Sequence, residues 1–301
     1  MTEAKVVCHD SDREAWLRAR TKGIGGSDAP QVLGRSSFGG PARVAAIKLG
    51  YEIGDDTESE LMKWGRLVEK PMLEAFTEET GYLAKIDGNM YQQQLPELSF
   101  MQATIDGVAK VGAELAIVEC KLAFWSADAW DDGVPEHVQI QVQHQLATLG
   151  YPFAFVLALL GGYQFRWARV ERDEDFIDNI LIPTEREFWD RVQSGASVRP
   201  SGAPDREAAA IAAMFPNPSI GKEVRLEGTT WIDRFDDWRK AAATKTVVEK
   251  EAKQYRNDFT AAMGDAEFAI LDNGQRVSLK QQTRKAHEVK SSTFRVLRPA
   301  K

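Results

Sequence analysis

Hydrophobic and polar residues follow two different periods along the first two hundred residues. Helical spacing, with proline or glycine near the ends, predicts helices near residues 12–19, 41–49, 58–80, 135–149 and 174–193. Short apolar or alternating runs predict strands near residues 82–86, 100–104, 115–121, 153–160 and 165–170. This order of elements is typical of a mixed central sheet flanked by helices, so the predicted fold class is α/β (α+β).

The composition changes near Gly195. From there to Pro218, four prolines flank an alanine-rich run, which predicts a linker that contains one short helix. A long polar helix at about 231–263 and a hairpin around Asp272-Asn273-Gly274 follow, and the tail contains a strand-like segment at 294–297. The predicted organisation is a core at 1–194, a linker at 195–230 and a C-terminal appendage at 231–301.

Composition and charge narrow the class of protein. The chain is 43% hydrophobic and 28% charged, as in ordinary globular proteins. Its most apolar stretch, Phe153 to Leu160, is too short to span a bilayer, and no N-terminal signal is visible, so we expect a cytosolic protein. Two cysteines cannot form a disulfide framework. The net charge of −7 argues against nucleic-acid binding by bulk charge, but it is compatible with a positive channel or a divalent-metal site.

Three charged residues form a candidate catalytic group. Glu119 and Lys121 are two apart on a predicted strand, so their side chains point to the same face. Asp106 ends a strand before a glycine and can meet Glu119 across neighbouring strands. Two carboxylates beside an ammonium suit phosphodiester hydrolysis, in which the acids hold Mg²⁺ or Mn²⁺ and the lysine orients or deprotonates a water. The alternative is an Asp-Gly turn with a surface ion pair, because so short a motif is common.

Six motifs in a fixed order give this group a family context. They are Arg20 with Gly25-Gly26-Ser27-Asp28, then Trp64-Gly65-Arg66-Leu67-Val68-Glu69, Asp106-Gly107, Glu119-Cys120-Lys121, the run from Gln139 to His144, and Val170-Glu171-Arg172-Asp173-Glu174. Over residues 12–194 the chain resembles the YqaJ-type viral recombinase family, relatives of phage lambda exonuclease within the PD-(D/E)xK nuclease superfamily. One departure is that the strand before Asp106 lacks the proline often found there.

The resemblance implies a PD-(D/E)xK nuclease core with the activity of a metal-dependent 5′-3′ exodeoxyribonuclease. Such an enzyme resects duplex DNA ends to 3′ single strands for phage-type homologous recombination. The implied partners are double-stranded DNA ends and a single-strand annealing recombination protein. The implied assembly is a homo-oligomer, a trimeric ring, in the cytosol of a bacterium or phage-infected host.

The resemblance also implies roles for individual residues. Asp106, Glu119 and the backbone carbonyl of Cys120 would hold Mg²⁺ (or Mn²⁺), and Lys121 would be the base that activates water. Glu69 would reach a metal-bound water or a second ion, with the small Gly65 letting its helix approach the sheet. The predicted apolar side of that helix consists of Leu61, Trp64, Leu67, Val68, Met72 and Phe76.

Polar and aromatic residues around this group are further candidates. Gln141 lies one helical turn before Gln145 and would orient the water or a phosphate. Arg20 and Ser27 flank a glycine turn that leads into a helix N-cap at Ser27-Asp28, which together suit a 5′-phosphate at a DNA end. Stacking on bases is one interpretation of the aromatic side chains just beyond Lys121, which are Phe124, Trp125 and Trp130. The lone His144 is expected to be structural.

Two other functions remain open at this stage. The first is a catalytically silent nuclease fold that binds DNA and whose appendage recruits an annealing or assembly partner. The second is a structure-specific endonuclease, which would also cut closed circles. The intact Asp106, Glu119 and Lys121 set argues against silence, because packing alone requires none of the three.

Overall fold

The computed structural model describes residues 4–51, 60–124, 127–217 and 221–280. The chain divides into two compact units, Met1–Pro216 and Asn217–Lys301. The helices of the first unit are α1 (Arg13–Arg20), α2 (Ala29–Val32), α3 (Pro41–Lys48), α4 (Glu60–Thr80), α5 (Glu136–Leu149), α6 (Glu174–Phe176), α7 (Ile182–Ser194) and α8 (Pro204–Met214). A π-helical turn, Ile177–Leu181, joins α6 to α7, and short 3-10 helices occur at Pro96–Leu98 and Ala127–Trp130.

The strands of this unit form two sheets. They are β1 (Lys5–His9), β2 (Leu83–Ile86), β3 (Asn89–Gln92), β4 (Gln102–Thr104), β5 (Gly107–Val111), β6 (Glu114–Ala123), β7 (Phe153–Leu160) and β8 (Gln164–Glu171). The central sheet has the order β2-β5-β6-β7-β8, and only its β6–β7 pair is parallel. The predicted fold class, a mixed central sheet flanked by helices, is therefore confirmed.

Alternation along β6 decides which helix covers each face of the sheet. Ile117 packs with Val142 and Leu146 of α5, whereas Val118 packs with Phe76 of α4 on the opposite face. Because side chains two apart on a strand share a face, Glu119 and Lys121 point toward α5. The sequence thus places the acid and the base of β6 under a helix that carries polar side chains.

The second sheet was not predicted. It has the order β1-β3-β4, and Met101, just before β4, forms an isolated parallel bridge with Ile24. The run at 100–104 is a strand as predicted, but it lies in this small sheet and not in the central one. The strands β1 and β3 are short, and most residues of β1 are exposed, so they lack the apolar alternation that marks a strand.

Helix α4 is buried only along its second half. Met72 and Phe76 are buried as predicted, and Val68 packs against them. Leu61, Trp64 and Leu67 are 44%, 55% and 57% exposed, so the prediction that they belong to the buried side is wrong. The apolar face is longer than the surface that the sheet offers to the helix.

The segment predicted as a linker contains α8, which packs against α3 within the first unit. The buried carboxylate of Glu207 accepts backbone N–H groups from Ala42 at 3.2 Å, Arg43 at 2.9 Å and Ser201 at 3.1 Å. These bonds require that the chain is ordered through residue 207. The proline and alanine content of the segment does not indicate this order.

The second unit, described by itself, contains the long helix α9 (Thr229–Met263) and a hairpin of β9 (Phe268–Ile270) and β10 (Arg276–Ser278). The predicted hairpin is confirmed, and Gly274 in its turn adopts a positive φ of 83° that favours glycine. The strand-like segment at 294–297 lies outside the described residues. In the part of the chain that the structure describes, no helix is long and apolar enough to cross a membrane.

Candidate active site

The register of two strands brings Asp106 beside Glu119. Gly107 of β5 pairs with Val118 of β6 in an antiparallel ladder, and Asp106 and Glu119 each lie one residue beyond that pair. The Oδ2 atom of Asp106 accepts a hydrogen bond from the Cys120 backbone N–H at 2.7 Å. The two predicted acids therefore lie together at one end of the β5–β6 ladder, next to the Cys120 peptide.

Three donors surround the carboxylate of Glu119, which is only 3% exposed. Its Oε1 atom lies 2.6 Å from Lys121 Nζ and 2.7 Å from Gln141 Nε2, and its Oε2 atom lies 2.6 Å from Gln145 Nε2. Gln141 also accepts a bond from Lys121 Nζ through its Oε1 at 2.9 Å. Because Gln141 and Gln145 are one turn apart on α5, this helix fixes the rotamer of the acid.

The ammonium of Lys121 stays charged in this arrangement. Burial alone would lower its pKa, but the Glu119 carboxylate and the hydrogen bond to it hold the pKa above the ordinary value. An amine that carries its proton orients a phosphate or a water and cannot accept a proton. Activity as a base therefore requires another cation to compensate the charge of Glu119.

In contrast to Lys121, the carboxyl of Asp106 is in surroundings that favour its neutral form. Burial, together with the nearby charges of Glu119 and Glu69, raises the pKa of Asp106 well above its ordinary value. The same causes, with Asp106 itself, raise the pKa of the Cys120 thiol, so this cysteine is not a reactive thiolate. A group of partly or fully buried acids that repel one another is the electrostatic environment in which a bound cation is stabilised.

Glu69 of α4 lines the same cleft. The cleft has a volume of about 530 Å³ and is lined by Asp10, Ser11, Arg13, Trp16, Arg66, Glu69, Thr104, Asp106, Glu119 and Gln141. Burial, then the charges of Asp10 and Glu119, raise the pKa of Glu69 to about 7. The expected reason for Gly65 is wrong, because a Cβ there would meet no atom within 4 Å. Glu69 therefore lines the cleft although α4 does not approach the sheet closely at Gly65.

The donor set suits a hard divalent cation. Asp106 and Glu119 offer carboxylate oxygens, and the Cys120 carbonyl is the third ligand that the sequence motif implies, a set that fits Mg²⁺ or Mn²⁺ and not a thiolate-binding metal. Within the described ranges, no three His, Cys, Asp or Glu side chains converge on one metal position. The predicted site has two such side chains, so water and substrate oxygens would complete the coordination.

Arg20 and Ser27 lie together at a second, smaller cleft. It has a volume of about 70 Å³, and Gly25, Gly26 and Gln141 also line it. It shares Trp16, Thr104 and Gln141 with the larger cleft, so the two are neighbours. The structure therefore places the predicted phosphate-binding residues beside the predicted catalytic residues.

A buried ion pair that the sequence did not reveal fixes this turn. Asp28 was expected to cap a helix, but its side chain accepts no bond from α2. Its Oδ2 atom instead accepts Lys48 Nζ at 2.6 Å and Gly25 N–H at 3.0 Å, and its Oδ1 lies 3.5 Å from Arg20. Burial would raise the pKa of Asp28, but Lys48 and Arg20 hold it well below its usual range. The carboxylate thus holds the turn and the guanidinium of Arg20 in position.

Two further cleft residues were missed as functional. The Trp16 ring lies between Arg13 and Arg20, whose guanidinium carbons are 4.5 and 5.2 Å from its centroid, and its Nε1 donates to Thr104. The helical pattern of α1 assigns Trp16 to a packing role, so only the position of α1 beside the site reveals it. Arg13 brings positive charge into a cleft of an acidic protein.

The remaining candidates have other surroundings. Trp130 is 9% exposed and packs in the core under α5, so the interpretation of its ring as a stacking surface is wrong. Phe124 is 48% exposed, and Trp125 lies outside the described residues. His144 is fully buried between Glu185 Oε1 at 2.8 Å and the Gln102 carbonyl at 2.9 Å, which is the structural role expected of it.

The fold and the site together define a PD-(D/E)xK-type domain: a mixed sheet with an acid directly before one strand and a Glu-x-Lys pair on the next strand. The model of the YqaJ-like viral recombinase domain matches residues 15–152. An uncharacterized protein, YqaJ of Bacillus subtilis (strain 168), is 30% identical over 279 residues, which are 90% of this chain and 85% of that protein. The chain belongs to the YqaJ-like viral recombinase family.

Two solved structures are similar over part of the chain. An alkaline exonuclease from Laribacter hongkongensis is 21% identical with a TM-score of 0.48, and the match covers 60% of this chain and 93% of that one. A phage-related exonuclease from Haemophilus somnus 129PT is 13% identical with a TM-score of 0.45, covering 60% and 100%.

Proposed function

We propose that the protein is a Mg²⁺- or Mn²⁺-dependent exodeoxyribonuclease that degrades duplex DNA from a 5′ end. The observation that carries the proposal is the close group of Asp106, the buried Glu119 and the partly buried Lys121, with Gln141 bridging the last two. Side-chain packing does not explain why two acids and an amine lie together at the end of the β5–β6 ladder, because removing charges from water costs free energy even when they are paired. Membership of the YqaJ-like viral recombinase family supports the coarser assignment, a phage-type nuclease.

Each residue of the site has a distinct role in the proposed reaction. Asp106, Glu119 and the Cys120 carbonyl would hold the cation, which would supply Lewis-acid polarisation of the scissile phosphate and make the attacking water more acidic. Gln141 and Gln145 keep Glu119 in one orientation. Lys121 orients the attacking water and, once the charge of Glu119 is compensated, accepts its proton. Glu69, with a pKa of about 7, would hydrogen-bond to water on the α4 side of the cleft.

Digestion of end-labelled DNA tests the activity. We expect release of nucleotides from linear duplex when Mg²⁺ or Mn²⁺ is present, and none from a covalently closed circle. Label at the 5′ end should be released before label at the 3′ end, which fixes the direction. Cleavage of the circle would favour the structure-specific endonuclease, and DNA binding without any cleavage would favour the silent module.

The cleft of Arg20 and Ser27 would hold the 5′-phosphate of the DNA end. We expect wild-type protein to degrade 5′-phosphorylated duplex faster than 5′-hydroxyl duplex. Arg20→Ala should lower the rate on the phosphorylated substrate by about ten- to a hundredfold, because hydrogen bonds to charged groups contribute about 1.5–3 kcal/mol. The rates on both substrates, measured for each variant, check the preference.

An exposed arginine of α7 gives a matched control. Arg186→Ala removes the same charge from the chain but lies outside the cleft, so it should keep the full phosphate preference. A normal melting temperature for Arg20→Ala excludes unfolding as the cause. If that variant keeps the wild-type preference, the 5′-phosphate binds elsewhere.

The same proposal extends to partners. Degradation of the 5′ strand would leave a 3′ single strand for an annealing recombination protein. A homo-oligomeric ring would keep a chain of net charge −7 on DNA, with cations such as Arg13 and Arg20 confined to the clefts. Light scattering of the purified protein, alone and with duplex DNA, measures the assembly directly.

A further inference from the structure

One exposed aromatic side chain contacts the helix that carries Gln141 but lines neither of the two clefts. Phe38 lies in the connection between α2 and α3, and its side chain is 65% exposed. Its ring contacts the ring of His137 edge to face, with centroids 5.8 Å apart and an angle of 62° between the planes. His137 is at the start of α5, so the aromatic pair joins this connection to the helix that carries Gln141.

His137 connects Phe38 to the catalytic residues. It lies one helical turn before Gln141, and Gln141 binds Lys121. Burial and then the charge of Lys121 lower the pKa of His137, which favours the neutral imidazole. Glu119 is thus linked to Phe38 in three steps: a hydrogen bond to Gln141, one turn of α5 to His137, and the ring contact of His137 with Phe38.

The connection that carries Phe38 is held at both of its ends. A Cβ on Gly40 would overlap the Ser201 carbonyl oxygen, and Gly34, with a φ of 67°, would place one against the Ser201 hydroxyl. Glu207 binds the first backbone N–H groups of α3 just beyond Gly40. Within the connection, Ser36 Oγ accepts the Phe38 N–H at 3.1 Å. The backbone that carries the exposed ring is therefore held in place by Ser201 and by Glu207 of α8.

We propose that Phe38, braced by His137, is a stacking surface for a nucleobase of the DNA strand being degraded. The proposal rests on the nuclease function proposed above. A planar apolar ring that is open to solvent and contacts His137, one helical turn from Gln141, suits the π-face of any base, so the contact gives position without sequence preference. It would hold the strand so that the scissile phosphate lies over Asp106 and Glu119.

The contact is tested by removing the Phe38 ring from the protein and the base from the DNA, first separately and then together. Substrates are 5′-phosphorylated duplexes with an abasic residue at one of the first few positions of the 5′ strand. We expect one abasic position to slow the wild-type protein about tenfold, within the range that base–aromatic stacking contributes. Phe38→Ala should be slowed similarly on intact DNA and show no further loss with that abasic substrate. Phe38→Trp should retain the wild-type pattern, whereas Phe38→Leu should not.

The control and the second readout keep the outcomes separate. Phe215→Ala removes another exposed ring of the first unit, 54% exposed, and should leave both rates unchanged. In EDTA, 2-aminopurine at the sensitive position should lose fluorescence on binding wild-type protein but not Phe38→Ala, whether or not the protein cleaves DNA. Two results would overturn the stacking contact. In the first, Phe38→Ala and the abasic residue each slow cleavage and their effects multiply when they are combined. In the second, wild-type protein and Phe38→Ala quench the fluorescence equally. Absence of wild-type cleavage with intact quenching would instead overturn the nuclease function.

Discussion

Asp106→Asn is expected to abolish DNA cleavage and at the same time to raise the melting temperature of the metal-free protein. The loss of activity should be about a thousandfold or more, because metal stabilisation of the transition state contributes several kcal/mol. The amide keeps the shape of the side chain and an oxygen that accepts the Cys120 N–H. Only the charge is removed, and that charge is repelled by Glu119 and Glu69 in the folded protein.

The gain in stability has a defined pH dependence. Because the pKa of Asp106 is raised on folding, the folded protein holds this proton more tightly than the unfolded chain does. The contribution of Asp106 to the free energy of unfolding is thus fully present below its unfolded pKa of about 3.9 and is lost as pH rises toward the folded pKa. The melting temperatures of Asp106→Asn and wild type should coincide near pH 4 and separate as pH rises to 7.

Added metal should reverse the difference. Mg²⁺ that binds only the folded protein raises the wild-type melting temperature, and it should leave Asp106→Asn unchanged. Asp178→Asn, an exposed acid before α7, is the matched control and should behave like wild type in both measurements. Normal cleavage by Asp106→Asn with Mg²⁺, or an equal Mg²⁺ shift in both proteins, would remove Asp106 from the metal site.

Glu119→Gln is expected to differ in stability although it also loses cleavage. The Glu119 carboxylate accepts bonds from Lys121, Gln141 and Gln145, so both of its oxygens are needed as acceptors. A glutamine there would turn an NH₂ group toward one of these donors. The variant should therefore melt at a lower temperature than wild type, because a buried polar group without a partner costs about 1–3 kcal/mol.

Much of this site follows from local rules. The two-residue period of a strand puts Glu119 and Lys121 on one face, and the four-residue step of a helix puts Gln141 and Gln145 on another. The adjacency of Asp106 and Glu119 depends on the tight β5–β6 connection, which was not predicted as a hairpin. Its strand β5 is only five residues long and begins with a glycine, so its pattern is weak.

What the sequence did not reveal depends on distant contacts. Asp28 has the local pattern of a helix cap, and only its contact with Lys48, twenty residues later, shows that it is half of a buried ion pair. Trp16 has the spacing of a core residue but lines the cleft. Gly65 suggested close packing that the structure does not have. In each case the local pattern is compatible with two environments, and tertiary packing decides between them.

Lys121→Ala is expected to separate metal binding from chemistry. Both acids remain, and Gln141 and Gln145 still hold Glu119, so Mg²⁺ should raise the melting temperature as in wild type. Cleavage should fall about a hundredfold or more, the usual effect of losing acid–base assistance. Wild-type activity should rise toward alkaline pH, because the raised pKa of Lys121 keeps the amine protonated at lower pH.

Rescue by a small amine distinguishes proton transfer from a structural role of the lysine. Ethylamine fits the space that the alanine leaves, so it should restore part of the activity of Lys121→Ala, with a dependence on pH that follows the neutral amine. Lys110→Ala, an exposed lysine of β5, should need no rescue and show none. A flat pH–rate profile in wild type together with normal cleavage by Lys121→Ala would exclude the lysine from the reaction. Water activation would then fall to the metal ion, with Glu69, whose pKa is about 7, as the candidate side chain to accept the proton.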